Sequence, residues 1–300
     1  MDFSALKKKS NFENMKKAVE QTTGAAYKKT DDRIWQPDVD KAGNGMAIVR
    51  FLPLSKNDKP FVANAPEIAV ATTWNHGFKG IGGWFIENCP TTIGGDCPAC
   101  EYNTTLWRTG DKTNVEIARA QKRKMVCYAN VLIISDPKHP ENNGEVKIFK
   151  FGKSIRDKIF EVIIPDFDDE TPLNPFHIID GADFKIKIRN LDGYRNYDKS
   201  EFDTPSPLLG GDEDAIKEVW DKQYTLSEFL DPANFKSYDA LSTRFYSVIG
   251  GAAKKASQPA QGFNNETFDS VGVDGDDLDY FKSMSGGVSG GRDDDDDVPF

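Results

Sequence analysis

Several short extended segments punctuated by turns, one amphipathic helix among them, and an early crowd of cysteines with a histidine predict a mixed α+β fold. The architecture that suits them is an OB-like five-stranded barrel core with flanking helices, interrupted by an inserted subdomain built on a structural metal. Charge divides the chain further. A basic N-terminal arm (1–30) precedes the folded core (31–250), and a linker with an acidic tail (251–300) follows it.

In chain order, residues 1–30 open with Phe3 and Leu6, then Lys7-Lys8-Lys9-Ser10, and a loosely helical pattern runs through Phe12, Met15 and Val19 to Thr22-Thr23-Gly24. So short and lysine-rich a stretch cannot bury a core alone. It is either a frayed terminus or an arm that docks on something acidic. Gly43-Asn44-Gly45 reads as a turn, Met46 to Leu52 as a largely buried strand stopped by Pro53, and 55–66 as loop. Glu67 to Trp74 reads as extended chain, Tyr102 to Arg108 as a short helix, and Val115 to Ala120 is ambiguous. Met125 to Ile134 has the apolar density of a central strand, with Glu145 to Phe151 as its hairpin partner across Pro140 to Gly144. Ser154 to Ile164 places Ile155, Ile159, Phe160 and Ile163 on one helical face, whereas Phe184 to Arg189 alternates strictly, giving a strand with one basic face. Two amphipathic helices, Asp212 to Tyr224 and Tyr238 to Val248, close the core, and Gly250-Gly251 is a C-cap signal.

His76, Cys89, Cys97 and Cys100 fall within 25 residues, and Cys97-Pro98-Ala99-Cys100 is a Cys-x-x-Cys knuckle. A two-residue gap lets both sulfurs reach one ion from a tight turn. The longer gaps leave room for two short strands around Trp84 to Glu87 that return Cys89 to His76. Three thiols and an imidazole make a tetrahedral zinc set, and four protein ligands leave no open position, so one such Zn²⁺ is structural. A redox dithiol or unrelated thiols are the alternatives. The zinc subdomain spans about 70–125, and Cys127 is left over as a small buried hydrophobe.

A hydrophobic content of 38% against 29% charged implies that part of the length is not core. Apolar runs such as Val131 to Ile134 fall far short of a membrane span, which excludes a membrane partner. No apolar stretch follows the N-terminal lysines, so a reducing cytoplasm is the expected compartment. The net charge of −10 seems to exclude nucleic acid. Its distribution does not. Residues 1–30 hold seven lysines against three acids, residues 70–160 thirteen bases against nine acids, and residues 264–300 eleven acids against two bases.

Binding single-stranded nucleic acid needs cations along the phosphates and flat side chains under the bases. Lys122-Arg123-Lys124 leads into the strand carrying Tyr128, and Lys147, Lys150 and Lys153 flank Phe149 and Phe151. Lys185, Lys187 and Arg189 run up to Tyr194, Arg195 and Tyr197, and Trp84, Phe85, Tyr102 and Trp107 surround the cysteines. Aromatics in a barrel are as a rule core, and a basic strand face can be merely solvated. Their recurrence on separate segments favours a single-strand binder. Catalysis has less behind it. Gly80-Ile81-Gly82-Gly83 lacks the Lys-Ser/Thr of a phosphate loop. The acids Asp166 to Glu170 and Asp212 to Asp214, which a Mg²⁺-dependent nuclease would need, read as loop and helix-start charge.

Together, His76-Gly77-Phe78-Lys79, Gly83-Trp84-Phe85-Ile86-Glu87, Cys97-Pro98-Ala99-Cys100-Glu101-Tyr102, Lys122-Arg123-Lys124, Phe151-Gly152-Lys153 and Gly193-Tyr194-Arg195-Asn196-Tyr197-Asp198 resemble the single-stranded DNA-binding proteins of T-even-type bacteriophages. The resemblance covers nearly the whole chain. It implies a non-enzymatic protein, in the cytoplasm of the infected bacterial host, that coats and protects single-stranded DNA during replication, recombination and repair. It implies an OB-like core and a zinc subdomain with DNA in the cleft between them, and Zn²⁺ on His76, Cys89, Cys97 and Cys100. Phosphates would meet Lys122, Arg123, Lys124, Lys150 and Lys153. Bases would stack on the exposed members of Trp84, Phe85, Tyr102, Trp107, Tyr128, Phe149, Tyr194 and Tyr197. The arm, through Lys7, Lys8, Lys9 and Ser10, would contact the neighbouring protomer and make binding cooperative. The tail, ending in Asp293, Asp294, Asp295, Asp296 and Asp297, would recruit replication, recombination and repair proteins. The internal basic motif departs from the family pattern, since Met125-Val126-Cys127 follows it where hydroxyl residues and an aromatic are usual. The competing reading is a zinc-stabilised interaction protein whose acidic tail is the working element.

Overall fold

A single long strand sets the layout. In the computed structural model, which describes residues 31–251 apart from 63–64, 168 and 192, Lys124–Ser135 is extended without interruption. The arm residues Lys7 to Ser10 and the tail residues Asp293 to Asp297 lie outside the described residues. The chain divides into two units at Ile34, and the described helices and apolar cores all lie in the second.

The described strands are β1 (Ile34–Trp35), β2 (Gly45–Phe51), β3 (Ala71–Gly80), β4 (Gly83–Asn88), β5 (Lys124–Ser135), β6 (Val146–Phe151), β7 (Asp183–Leu191), β8 (Tyr194–Asn196) and β9 (Glu201–Phe202). The helices are α1 (Pro98–Arg108), α2 (Lys112–Gln121), α3 (Lys153–Ile163), α4 (Glu213–Asp221) and α5 (Tyr238–Ile249). The fold is therefore mixed α+β. The sheet has nine strands along the path β1-β6-β5-β2-β7-β8, with β3 added to β5, β4 to β3 and β9 to β7. Among the described strands no pairing joins β8 back to β1, so the sheet is open where five strands closing on themselves were expected. The feature that a simple five-stranded barrel lacks lies in β5. On one edge its first half pairs with β3 (Tyr128 opposite Ala71, Lys124 opposite Asn75) and its second half with β2 (Val131 opposite Phe51, Ile133 opposite Val49). The other edge pairs with β6 from Cys127 to Leu132.

Where the two ladders on one edge meet, Asn130 fills the gap. Its backbone carbonyl accepts from Leu52 N–H (3.0 Å). Its buried side-chain amide accepts from Tyr224 N–H (3.0 Å) and donates to Tyr224 C=O (2.9 Å).

The main core gathers Val49 and Phe51 of β2, Val131 and Ile133 of β5, Phe149 and Phe151 of β6, Phe184 and Ile186 of β7, and Ile155 and Ile159 of α3. Phe51 is its hub, with ring centroids of Phe149, Phe151, Phe176, Phe184 and Phe202 at 5.8–6.4 Å. Arg50 is buried in the same strand because its guanidinium donates to Ser206 C=O (2.6 Å) and His177 C=O (3.4 Å) and pairs with Asp183 (3.3 Å). The ambiguous stretch Val115 to Ala120 is helical. Asp111 caps α2 by accepting from Asn114 N–H (3.0 Å).

A second core, around the cysteines, contains Phe78, Phe85, Cys89, Cys97 and Ala99, and also Leu241, Phe245 and Val248 of α5. The lobe predicted over 70–125 thus takes a wall from far along the chain. Gly80 and Gly82 let this happen: a Cβ on either would strike the carbonyl oxygens of Val248 and Ser247, and Gly82 N–H donates to Val248 C=O (2.9 Å). No helix of the described residues is long and apolar enough to cross a membrane.

Asn130→Ala removes one acceptor and one donor from part-buried backbone groups of Tyr224, so it should destabilise the protein by about 1–3 kcal/mol. Urea unfolding that shows a loss below about 1 kcal/mol would contradict the role given to this amide.

Candidate metal centre and nucleic-acid interface

Strands β3 and β4 form a hairpin in which His76 faces Glu87 and Asn75 faces Asn88, so the residue after β4, Cys89, returns beside His76. Cys89 N–H donates to Trp74 C=O (2.8 Å), which fixes that return. Cys97 is the N-cap of α1 and Cys100 lies in its first turn, with Pro98 at the position where a helix tolerates a missing N–H. These elements bring together all four predicted ligands. Nε2 of His76 lies 3.5 Å from Cys97 Sγ and 3.4 Å from Cys100 Sγ, and Cys89 Sγ lies 3.5 Å from Cys100 Sγ. All four ligand atoms lie within 4.8 Å of one another, a cluster that can hold a metal ion.

The histidine is oriented from behind. Its Nδ1 is 2.9 Å from Gln121 C=O, and a carbonyl only accepts, so Nδ1 carries the proton and Nε2 offers its lone pair to the cluster. These groups perturb one another strongly. Burial works against charge on His76, but hydrogen bonds to Cys89 and Cys97 push it up to about 10. Contacts with Cys100 and Cys97 hold the Cys89 thiol well below its usual range, while contacts with Cys89 and Cys97, reinforced by burial, drive Cys100 well above.

The basic motif sits directly behind this cluster. Gln121, whose carbonyl holds His76, immediately precedes Lys122, and the Arg123 guanidinium donates to Thr91 Oγ1 and lies 4.4 Å from the centroid of the Trp74 ring. Lys122 is exposed, and Lys124 is half-buried opposite Asn75. Lys150 is half-buried opposite Tyr128 across the β5–β6 ladder, and Lys153 opens α3, paired with Asp157 at 2.6 Å.

Burial sorts the predicted aromatics. Trp84 (47% exposed) and Tyr194 (42%) are open to solvent. Tyr102, Trp107 and Tyr128 are half-buried. Tyr102 packs edge-on against Phe245, and Arg119 lies 5.6 Å from the Trp107 ring. Tyr128 stacks face to face on Phe229 at 3.9 Å, and burial pushes its phenol up to about 12. Phe85 (1% exposed), Phe149 (2%) and Tyr197 (8%) are core residues, which corrects their expected place in a stacking surface. Phe85 lies against Phe78 and Phe245, and Phe149 against Trp35 and Phe51. The basic face of β7 is present, with acidic partners the sequence did not reveal. Lys185 pairs with Asp203 (2.6 Å), Lys187 with Glu201 (2.7 Å) and Arg189 with Asp198 (3.8 Å), so its charge is cancelled locally. Sequence reasoning missed Trp74, Thr91 and Phe229. The first two stand two residues before His76 and two after Cys89, spacings that put them beside the cluster; Phe229 has no comparable local signal.

The fold and the cluster define a class, a chain of the gp32 DNA binding protein like family, which residues 43–249 match and to which the chain belongs. It is 37% identical over 278 residues to the single-stranded DNA-binding protein of Enterobacteria phage T2, covering 87% of each chain. It is 36% identical over 299 residues to that of Enterobacteria phage T4, covering 94% of each. A 90-residue stretch, 29% of this chain and 73% of the relative, is 43% identical to the single-stranded DNA-binding protein of Escherichia phage SV14.

Glu87 links the lobe to α5. Its nearly buried carboxylate (9% exposed) accepts from Lys236 Nζ (2.6 Å) and Arg244 Nε (2.7 Å). Replacing both bases by alanine leaves that charge uncompensated and should cost about 3–5 kcal/mol. Adding Glu87→Gln should recover part of the loss in thermal or urea unfolding, and the absence of any recovery would show that the bases act through packing alone.

Proposed function

We propose that this protein binds single-stranded DNA without strong sequence preference, coating and protecting it during phage DNA replication, recombination and repair, with no enzymatic turnover. The observation that carries this reading is the placement of Lys122-Arg123-Lys124, held against the four-ligand cluster and leading into the ladder that bears Trp74 and Tyr128. Cations there meet phosphates, and the aromatic rings open to bases are the exposed Trp84 and Tyr194, since Arg123 covers Trp74 and Phe229 stacks on Tyr128. Lys150 and Lys153 extend the cationic track, while Trp84, Tyr102, Trp107 and Tyr194 are the remaining stacking candidates.

The ion we assign to His76, Cys89, Cys97 and Cys100 is one structural Zn²⁺. Tetrahedral zinc with thiolates at about 2.3 Å and an imidazole at about 2.0 Å has N–S edges of roughly 3.5 Å and S–S edges of roughly 3.8 Å; the two His–Cys separations, 3.4 and 3.5 Å, fit, and the Cys89–Cys100 separation of 3.5 Å is slightly short. When bound, the ion supplies cross-linking and no chemistry. We read the core as OB-like in curvature. Trp35 and Tyr197, from opposite ends of the strand path, share one apolar cluster, which supports a sheet wrapped around its own contents. On the same reading residues 1–30 serve protomer–protomer contact and cooperativity through Lys7 to Ser10. Residues 251–300 present Asp293 to Asp297 to replication, recombination and repair proteins, and the site of action is the host cytoplasm.

Titration with oligo(dT) should give affinity that falls steeply with salt, by about 0.7 log units per neutralised phosphate for each decade; a flat salt dependence refutes the mechanism. Trp84→Ala should weaken binding by about 1–3 kcal/mol with little effect on unfolding. Phe85→Ala should instead destabilise the fold by about 3–5 kcal/mol. Chelation with verified zinc loss should weaken DNA binding and loosen the turn at Thr91 and the segment Gln121 to Arg123 while β5 and β6 keep their amide protection. Unchanged binding after complete metal loss would remove the metal from this account.

A further inference from the structure

Thr91 has no part in the predicted ligand set or in the predicted DNA contacts, yet it touches both. It lies in the short 3-10 turn Pro90–Ile93 that follows Cys89. Its Oγ1 is 3.0 Å from Cys89 Sγ and also takes a hydrogen bond from Arg123. Donor chemistry fixes the direction of this chain of contacts. A guanidinium has only donors, so the Thr91 oxygen accepts from Arg123, and its single hydrogen is left for the sulfur. A metal-bound sulfur is a thiolate, which accepts. The hydroxyl therefore points one way, from arginine to cysteine.

We propose that Thr91 is a positioning residue that bridges the metal centre and the basic motif. Its O–H steadies the Cys89 thiolate, and its oxygen holds the Arg123 guanidinium over the Trp74 ring, 4.4 Å from the centroid. The proposal rests on the zinc and single-stranded DNA readings above, and it assigns a residue to neither role alone. A second, independent contact places the motif on the other side, where Gln121 C=O accepts from His76. Thr91 is the part that a single hydroxyl controls. The turn itself has other supports, so losing the hydroxyl should not unfold it. Thr92 Oγ1 accepts from Trp74 N–H (2.9 Å), Cys89 N–H donates to Trp74 C=O (2.8 Å) and Gly95 N–H to Pro90 C=O (2.9 Å).

The test compares full-length wild type with Thr91→Val, which keeps the shape and loses the hydroxyl, and Thr91→Ser, which keeps the hydroxyl. Three quantities are read: the rate of zinc loss to a chromogenic chelator, the thiolate-to-metal charge-transfer band of the Co²⁺-loaded protein, and affinity for oligo(dT) at fixed salt. Thr91→Val should lose zinc about tenfold faster, in keeping with the usual effect of removing an outer-shell partner. It should shift the charge-transfer band to lower energy, because a thiolate without its hydrogen bond is a stronger donor, and weaken oligo(dT) binding several-fold. Thr91→Ser should restore all three. A Thr91→Val protein with wild-type zinc loss and a wild-type band overturns the proposal, and so does one that changes only DNA affinity. Metal content and oligo(dT) binding of the wild type, measured alongside, report separately on the two readings beneath it.

Discussion

Much of this structure depends on one constraint: β5 must serve two ladders at once. Its first half hydrogen-bonds to β3, and through β3 to the hairpin that delivers His76 and Cys89. Its second half hydrogen-bonds to β2 and so belongs to the main core. One continuous strand therefore fixes the lobe relative to the core without a hinge between them. The switch from one partner to the other leaves polar backbone at the junction. A buried amide, Asn130, meets it by exchanging two hydrogen bonds with Tyr224. An apolar residue of the same size would take both of these hydrogen bonds away, which is why a polar side chain occupies a central strand.

The lobe is assembled from weak parts. Its apolar cluster is small, and three of the eight buried members come from α5. Two further ties supplement it. One is the four-ligand cluster, whose ion would cross-link β3, the turn after β4 and the start of α1. The other is Glu87, which holds Lys236 and Arg244 and so fastens α5 to β4. Because the second tie needs no metal, loss of an ion at the first need not detach the helix. Its effect should fall on the turn at Thr91 and on Gln121 to Arg123, the segments bonded directly to ligands.

The parts legible in the sequence are those whose signal is local. Met125 to Ile134 reads as a strand because it is apolar or aromatic at every position but Asn130, and α3 because its isoleucines recur at helical spacing. The ligand set reads from spacing alone, since a Cys-x-x-Cys knuckle and a hairpin are local devices. What does not read is what depends on distant partners. Arg50 in a buried strand becomes tolerable only through carbonyls of His177 and Ser206, more than a hundred residues away. The contribution of α5 to the lobe is invisible until Gly80 and Gly82 are seen against Val248 and Ser247. Closure of the sheet misleads for a related reason: strand count and spacing do not reveal that one strand is shared.

Charge gives the sharpest example of how position outweighs composition. Lys185, Lys187 and Arg189 alternate along β7 as regularly as any basic face, yet Asp203, Glu201 and Asp198 stand opposite them. Exposed pairs of this kind contribute little to stability, but they offset the field that an anion would feel. Lys122-Arg123-Lys124 is shorter and less regular. Its arginine is held by a hydroxyl and an aromatic face, contacts that carry no formal charge, so it loses its freedom to move without being neutralised by them. A cation already fixed in place loses less entropy on meeting a phosphate than a mobile one does. The sequence presents the two basic groups as equals, and only their partners in the fold tell them apart.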